Sequence, residues 1–114
     1  MPTDISLGGR TFAGVENDGG EVSGDTTMRF EQDGDRVSAT YSGGSIVEGH
    51  LVGTFDGERL DIRYVQLHDD GETATGHSIG AVTLLDDGRV RIEDEWEWES
   101  KAGGGSSVLE EVRE

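Results

Sequence analysis

The chain has 114 residues, and its 25 Asp and Glu against nine Lys and Arg give it a formal net charge of −16. A chain of this length supports one small hydrophobic core, so we expect a single domain over residues 1–114. The charge argues against nucleic acid and anionic membranes as partners, since either would repel this surface, and we expect no membrane partner. No run of about 20 apolar residues is present, so no membrane-spanning helix is expected.

Composition also predicts where the protein works. The first residues lack a basic segment followed by an apolar run, so no secretory signal is predicted. There is no cysteine, which removes disulfides, thiolate metal sites and cysteine nucleophiles from consideration. Eight of the nine basic residues are arginine. An acidic composition so poor in lysine favours a cytoplasmic protein from a high-salt cell interior. Disorder is the alternative, but regular apolar alternation and evenly spaced turns favour a folded chain.

Turn signals divide the sequence into eight runs. A phrase in which Asp-Gly comes shortly before arginine and an apolar residue occurs three times, at residues 33–37, 56–60 and 87–90, each time between runs of alternating apolar residues. Asp-Gly in that context predicts a hairpin with a type I′ turn, in which both central residues have positive φ. Four further breakers lie at residues 17–20, 43–44, 69–71 and 103–105. We predict strands near residues 9–17, 21–31, 36–42, 45–55, 59–68, 72–84, 89–99 and 106–113.

Two local features of these runs carry further expectations. Ser107 and Glu110 fit a capping box, but too few residues follow for a stable helix, so a final strand is preferred. Gly76 and Gly80 interrupt the long sixth run. Glycine inside a strand is typical of a bulge or bend, which we expect there.

The run of strands predicts a closed sheet. An open sheet of eight antiparallel strands would leave two exposed edges with no helix to cover them, and closure removes both. The predicted fold class is therefore all-β, a single-domain closed antiparallel up-and-down β-barrel of about eight strands. By analogy of shape it is similar to lipocalins and avidins. A two-sheet sandwich is the alternative.

The two ends of such a barrel differ in character. Successive hairpins place the three Asp-Gly turns at one end and the other loops at the opposite end. Apolar residues next to the Asp-Gly turns are expected to fill the first end: Phe30, Val37, Phe55, Leu60, Leu84 and Val90.

The opposite end is predicted to carry aromatic rings with polar tips. If Leu60 and Val90 point inward, every second residue that follows them along the same strand also points inward. The predicted ligand-binding residues are Tyr41, Tyr64, Gln66, His77, Asp94, Trp96 and Trp98. A large apolar area with a few orienting hydrogen-bonding groups is typical of a cup for a small, partly apolar ligand. The alternative is a filled barrel with a structural or interaction role, because rim Tyr and Trp often bond to backbone.

Motifs for chemistry are weak in this sequence. His50, His68 and His77 lack the spacing of a helical metal site, and the serines lack the strand-to-helix turn of an activated nucleophile. The glycine clusters open no helix that would bind phosphate. We therefore predict no catalytic residue, no metal site and no cofactor. The sequence leaves the oligomeric state open.

Several short motifs suggest kinship with a known family: Gly9-Arg10-Thr11-Phe12, Gly20-Glu21-Val22-Ser23, Tyr41-Ser42-Gly43-Gly44, Arg63-Tyr64, Thr75-Gly76-His77-Ser78 and Glu95-Trp96-Glu97-Trp98. The chain resembles a family of short prokaryotic proteins, many of which carry the label N-acetylglutamate synthase. That label implies transfer of an acetyl group from acetyl-CoA to glutamate. An acetyltransferase of this kind usually has a glycine-rich loop opening a helix, and the sequence has neither. An acetyltransferase is therefore the last alternative, after the ligand-binding cup and the filled barrel.

The charge predicts that folding depends on salt. At about 1 M salt the Debye length is roughly 3 Å, so repulsion between surface carboxylates is largely screened. We expect the domain to loosen or unfold in dilute buffer. Circular dichroism spectra and melting temperatures in dilute buffer and in molar salt check this, and identical values in both would contradict it.

Overall fold

The structure, a computed structural model, describes residues 5–18, 26–100 and 102–112, with only the backbone described at residues 16–18. Within these ranges the chain forms eight strands and no helix, and hence none long and apolar enough to cross a membrane. The strands are β1 (Thr11–Asp18), β2 (Thr27–Asp33), β3 (Arg36–Gly43), β4 (Ile46–Phe55), β5 (Arg59–His68), β6 (Thr73–Leu84), β7 (Val90–Trp98) and β8 (Gly104–Glu111). The predicted start of the second strand and part of the turn before it lie outside the described residues.

The sheet closes into a barrel. Each strand pairs in antiparallel fashion with the next, and β8 pairs with β1, with Ala13 opposite Glu110. The predicted fold class is thereby confirmed, and the sandwich alternative is wrong. Closure fixes which side chains point inward, because a slip of one residue in any strand would exchange its two faces.

The bulge predicted in the sixth strand is wrong. The pairing of β6 with β5 and with β7 is continuous from end to end. Gly76 instead lies between Tyr64 and Trp98 in the register, where a Cβ atom would stand 2.4 Å from the Tyr64 hydroxyl oxygen. At Gly80 a Cβ atom would come 3.1 Å from Asp94 Cβ. These glycines make room for side chains of neighbouring strands and leave the register intact.

The Asp-Gly hairpins form, but their first turn is of another type than predicted. Asp33 pairs with Arg36 inside the ladder, so the two-residue turn is Gly34-Asp35. Gly34 has a φ of 65°, and no residue other than glycine has positive φ in the part of the chain that the structure describes. Positive φ at only the first turn position is the pattern of type II′. The expected type I′ turn is therefore wrong.

At the turn between β4 and β5, the side chain of Asp56 stabilises the backbone. Its Oδ1 accepts backbone hydrogen bonds from Arg59 at 2.7 Å and from Glu58 at 2.9 Å. The N–H groups of Arg59 and Glu58 lower the pKa of the Asp56 carboxyl, because they stabilise its charged form. The side chain thus stabilises the turn through backbone bonds.

The end of the barrel with the turns at Gly34, Gly57 and Gly88, called the closed end below, has an apolar interior. Five of the six predicted filling residues are buried there: Phe30, Val37, Phe55, Leu60 and Val90. Leu84 is the exception, since it ends β6 and keeps 51% of its surface exposed.

The segment before β1 adds two apolar side chains to the closed end, and neither was among the predicted filling residues. Ile5 and Leu7 are buried, and Leu7 is fully so. The Leu7 N–H donates to Gln32 Oε1 at 2.8 Å, next to the Gly34 turn. This segment therefore packs on the closed end and completes its core.

The difference between Leu7 and Leu84 gives a test of this packing. Leu7→Ala removes a fully buried side chain and should lower the free energy of unfolding by about 2–5 kcal/mol. Leu84→Ala, at a half-exposed position, should change it by less than about 1 kcal/mol. Denaturant unfolding of both variants measures this, and equal losses would contradict the packing described here.

Candidate ligand-binding cup

The barrel end where the loops after β3, β5 and β7 lie, called the open end below, contains most of the predicted binding residues. Six of the seven point into the barrel there: Tyr41 on β3, Tyr64 and Gln66 on β5, and Asp94, Trp96 and Trp98 on β7. They do so because each lies an even number of residues from a buried apolar residue of its own strand, such as Ile62 or Ile92.

His77 does not join them, and its prediction as a cup residue is wrong. The unbroken register of β6 turns its neighbours Gly76 and Ser78 inward, so His77 lies on the outer face of the barrel. There its Nε2 is 2.6 Å from Asp61 Oδ1. His50 likewise pairs outside, with Glu48 at 2.7 Å. Within the described ranges, no three His, Asp or Glu side chains are grouped so as to hold a metal ion.

A chain of buried hydrogen bonds crosses one wall of the open end. The Tyr41 hydroxyl donates to Gln66 Oε1 at 2.9 Å, and the Gln66 amide donates to His68 Nε2 at 2.7 Å. An amide nitrogen can only donate, so the His68 Nε2 is the acceptor of this bond. All three side chains are buried. Burial raises the pKa of the Tyr41 hydroxyl, with a smaller effect from Tyr64. Tyr41 therefore remains a proton donor to Gln66.

Gly49 explains how Tyr41 reaches Gln66. It lies between them in the register, facing inward, and a Cβ atom there would come 2.4 Å from the Tyr41 ring. The ring therefore lies across bare backbone. Gly76 has the same role between Tyr64 and Trp98. Two inward glycines thus let side chains of next-nearest strands meet, which the sequence analysis did not predict.

A second polar group lies deeper, around Asp94. Its Oδ2 accepts a hydrogen bond from the Ser78 hydroxyl at 2.8 Å, and its Oδ1 accepts one from the Ser107 hydroxyl. Burial raises the pKa of the Asp94 carboxyl, while the bonds from Ser107 and Ser78 oppose that rise. Both serines are buried. They were not predicted as site residues, although their even spacing from Val82 and Leu109 turns them inward.

Three aromatic rings form the remaining wall. Trp98 contacts Tyr64 at a centroid distance of 6.0 Å and Trp96 at 5.2 Å, with interplanar angles of 70° and 64°. Such near-perpendicular contacts leave ring faces pointing in different directions. Tyr64, Trp98 and Asp94 are only partly buried although they point inward, whereas Trp96 is buried. Solvent therefore reaches the interior between these side chains.

Two hydrogen-bond donors in this wall have no partner among the described residues. Within the described residues, neither the Tyr64 hydroxyl nor the Trp96 indole N–H makes a hydrogen bond. Tyrosine and tryptophan in such positions usually bond to a nearby acceptor. Both groups are thus free to bond to a molecule that enters the open end.

Comparison with known proteins identifies the kinship of the chain. The model of a family described as avidin-like protein matches residues 5–112. Searches of curated proteins and of solved structures gave no match. The predicted membership of the family labelled N-acetylglutamate synthase is wrong, since the matched family is not one of acetyltransferases.

Asp94 gives a prediction about stability and pH. The ordinary pKa of this carboxyl is 3.8, and in the folded protein it is higher. The folded state therefore holds the extra proton in the pH range just above 3.8, and stability falls as pH rises through the folded pKa. Asp94→Asn removes this loss. The variant should gain free energy of unfolding relative to the wild type as pH rises from 4 to 7.

Chemical denaturation of both proteins across that pH range measures the difference. Glu97→Gln controls for the loss of one negative charge, because Glu97 lies on the outer face of the same strand. If Asp94→Asn instead loses stability relative to the wild type as pH rises, the conclusion that burial destabilises the charged form of Asp94 is wrong.

Proposed function

Since the chain belongs to the avidin-like family, we propose that its open end binds a small, partly apolar molecule and releases it unchanged. Pockets for such molecules combine a large apolar lining with a few polar groups that fix orientation. The open end has this composition, with Tyr64 and Trp98 as partly exposed rings and Asp94 beneath them.

The free donors carry the proposal. A filled barrel would pair the Tyr64 hydroxyl and the Trp96 N–H with backbone or side-chain acceptors, because unpaired donors inside a protein cost free energy. Among the described residues neither has such a partner. A bound molecule with a hydroxyl or carbonyl oxygen would satisfy both donors while its apolar part contacts the rings.

The rest of the barrel supports this site. The chain of bonds from Tyr41 through Gln66 to His68 holds one wall in place. The buried side chains of the closed end, with Leu7 among them, leave the open end as the route of entry. A site fixed in advance in this way loses less entropy when it binds a ligand.

Binding without catalysis is favoured by the hydrogen-bond partners of the cup. His68 bonds to Gln66, and the hydroxyls of Ser78 and Ser107 bond to Asp94. In the described part of the cup, no serine hydroxyl is thus bonded to a histidine that would activate it as a nucleophile.

The two tryptophans allow a direct test, because the chain has only two and both lie in the cup. Their indole ¹⁵N–¹H signals should shift in a saturable way when 2-phenylethanol, a neutral ring with a hydroxyl, is added. The amides of Gly34, Gly57 and Gly88 at the closed end should not shift.

Variants sharpen this test. Tyr64→Ala should weaken 2-phenylethanol binding about fivefold or more, since an aromatic contact is worth roughly 1 kcal/mol or more. Val37→Ala, near the closed end, is the control and should change the affinity less than about twofold. Equal weakening in both variants, or indole signals that never shift, would support a filled barrel and contradict the cup.

A further inference from the structure

We propose that the molecule bound in the cup is a small organic cation, a methylated ammonium whose charge pairs with Asp94 and whose methyl groups contact Tyr64 and Trp98. This inference rests on the proposed function and adds the charge of the ligand to it. Three independent features of the molecule carry it.

The first feature is that Asp94 has no countercharge among the described residues. Its side-chain hydrogen-bond partners are the hydroxyls of Ser78 and Ser107, and no described arginine or histidine pairs with it. Carboxylates inside proteins are ordinarily paired with a cation or bound to one. These hydroxyls carry no charge, so a cation that enters the open end would neutralise the carboxylate.

The second feature is a pair of rings that point into the same barrel. Tyr64 and Trp98 point inward on either side of Gly76, and Asp94 points inward from the strand that carries Trp98. Burial raises the pKa of the Tyr64 hydroxyl, and the charge of Asp94 raises it further. Trp98 meets Tyr64 at an interplanar angle of 70°. A cation over the face of Trp or Tyr is attracted to the π electrons, and aromatic cages bind methylated ammonium groups in this way.

The third feature is the electrostatic field produced by the net negative charge of the chain. The net charge of −16 attracts cations and repels anions at any entrance to the barrel. Glu93, Glu95 and Glu97 face outward on β7, the strand that carries Asp94 inward. The charge of Glu99, which follows β7, also acts on Tyr64. An anionic ligand would have to overcome this field, whereas a cation gains from it.

The surface field alone would also attract cations, so the test must separate it from the cup. Molar salt shortens the Debye length to roughly 3 Å and screens the outer glutamates, while a partly buried carboxylate is screened much less. Measurements in 1 M NaCl therefore report mainly on Asp94 and the rings.

The experiment compares three molecules of nearly the same shape. Choline is a cation, 3,3-dimethylbutan-1-ol is its neutral carbon isostere, and 3,3-dimethylbutanoate is an anion of similar size. The indole signals of Trp96 and Trp98 report binding in 1 M NaCl. Choline should bind about tenfold or more tightly than the alcohol. The anion should bind most weakly.

A matched pair of variants assigns the preference to one residue. Asp94→Asn should remove the preference for choline over the alcohol while the alcohol still binds. Glu97→Gln, which removes one charge from the outer face of β7, should change the choline affinity less than about twofold. The choline affinity of the wild type should also fall as Asp94 is protonated at acid pH, because the neutral acid offers no countercharge.

The outcomes separate the two proposals. If the alcohol or 2-phenylethanol shifts the indole signals but choline binds no more tightly than the alcohol, the cation inference is wrong and the cup remains. If choline is preferred equally in the wild type and in Asp94→Asn, the assignment to Asp94 is wrong. If none of the four molecules shifts the indole signals, both proposals fail.

Discussion

The pairing of β8 with β1 is the constraint on which the rest of the molecule depends. A closed sheet has no free edge at which a strand can slide, so the side of the barrel that each residue faces is fixed in all eight strands together. Gly49 and Gly76 acquire their roles from this register, because each faces inward between two large side chains. The positions of the rings and of Asp94 follow from the same closure.

Alternation and turn signals were enough to predict the strands, the closed barrel and the inward position of six of the seven predicted ligand-binding residues. The errors have specific physical causes. His77 was assigned by its distance from the open end, although the unbroken register of β6 turns it outward. Leu7 was missed because it lies in no strand and packs through tertiary contacts alone. The type II′ turn at Gly34 depends on where the ladder ends, which a local dipeptide does not specify.

The two polar groups of the open end differ in how fully they are satisfied. Tyr41, Gln66 and His68 bond to one another, which fits a wall that only has to be rigid. Asp94 has two hydroxyl partners but no cation among the described residues. An arrangement that lowers stability at neutral pH and lies in a cup is expected where function opposes stability. Local rules of folding explain the first group, whereas the second is consistent with the proposed ligand.

A crystal structure grown with choline tests the central claim most directly, because it shows where the cation lies. The account predicts density for the ammonium group beside Asp94 and within about 6 Å of the ring centroids of Tyr64 and Trp98. It also predicts that the choline hydroxyl bonds to the Trp96 N–H or the Tyr64 hydroxyl. Two findings together would contradict it. The rings would fill the space above Asp94, and choline would be absent or bound only to the outer glutamates.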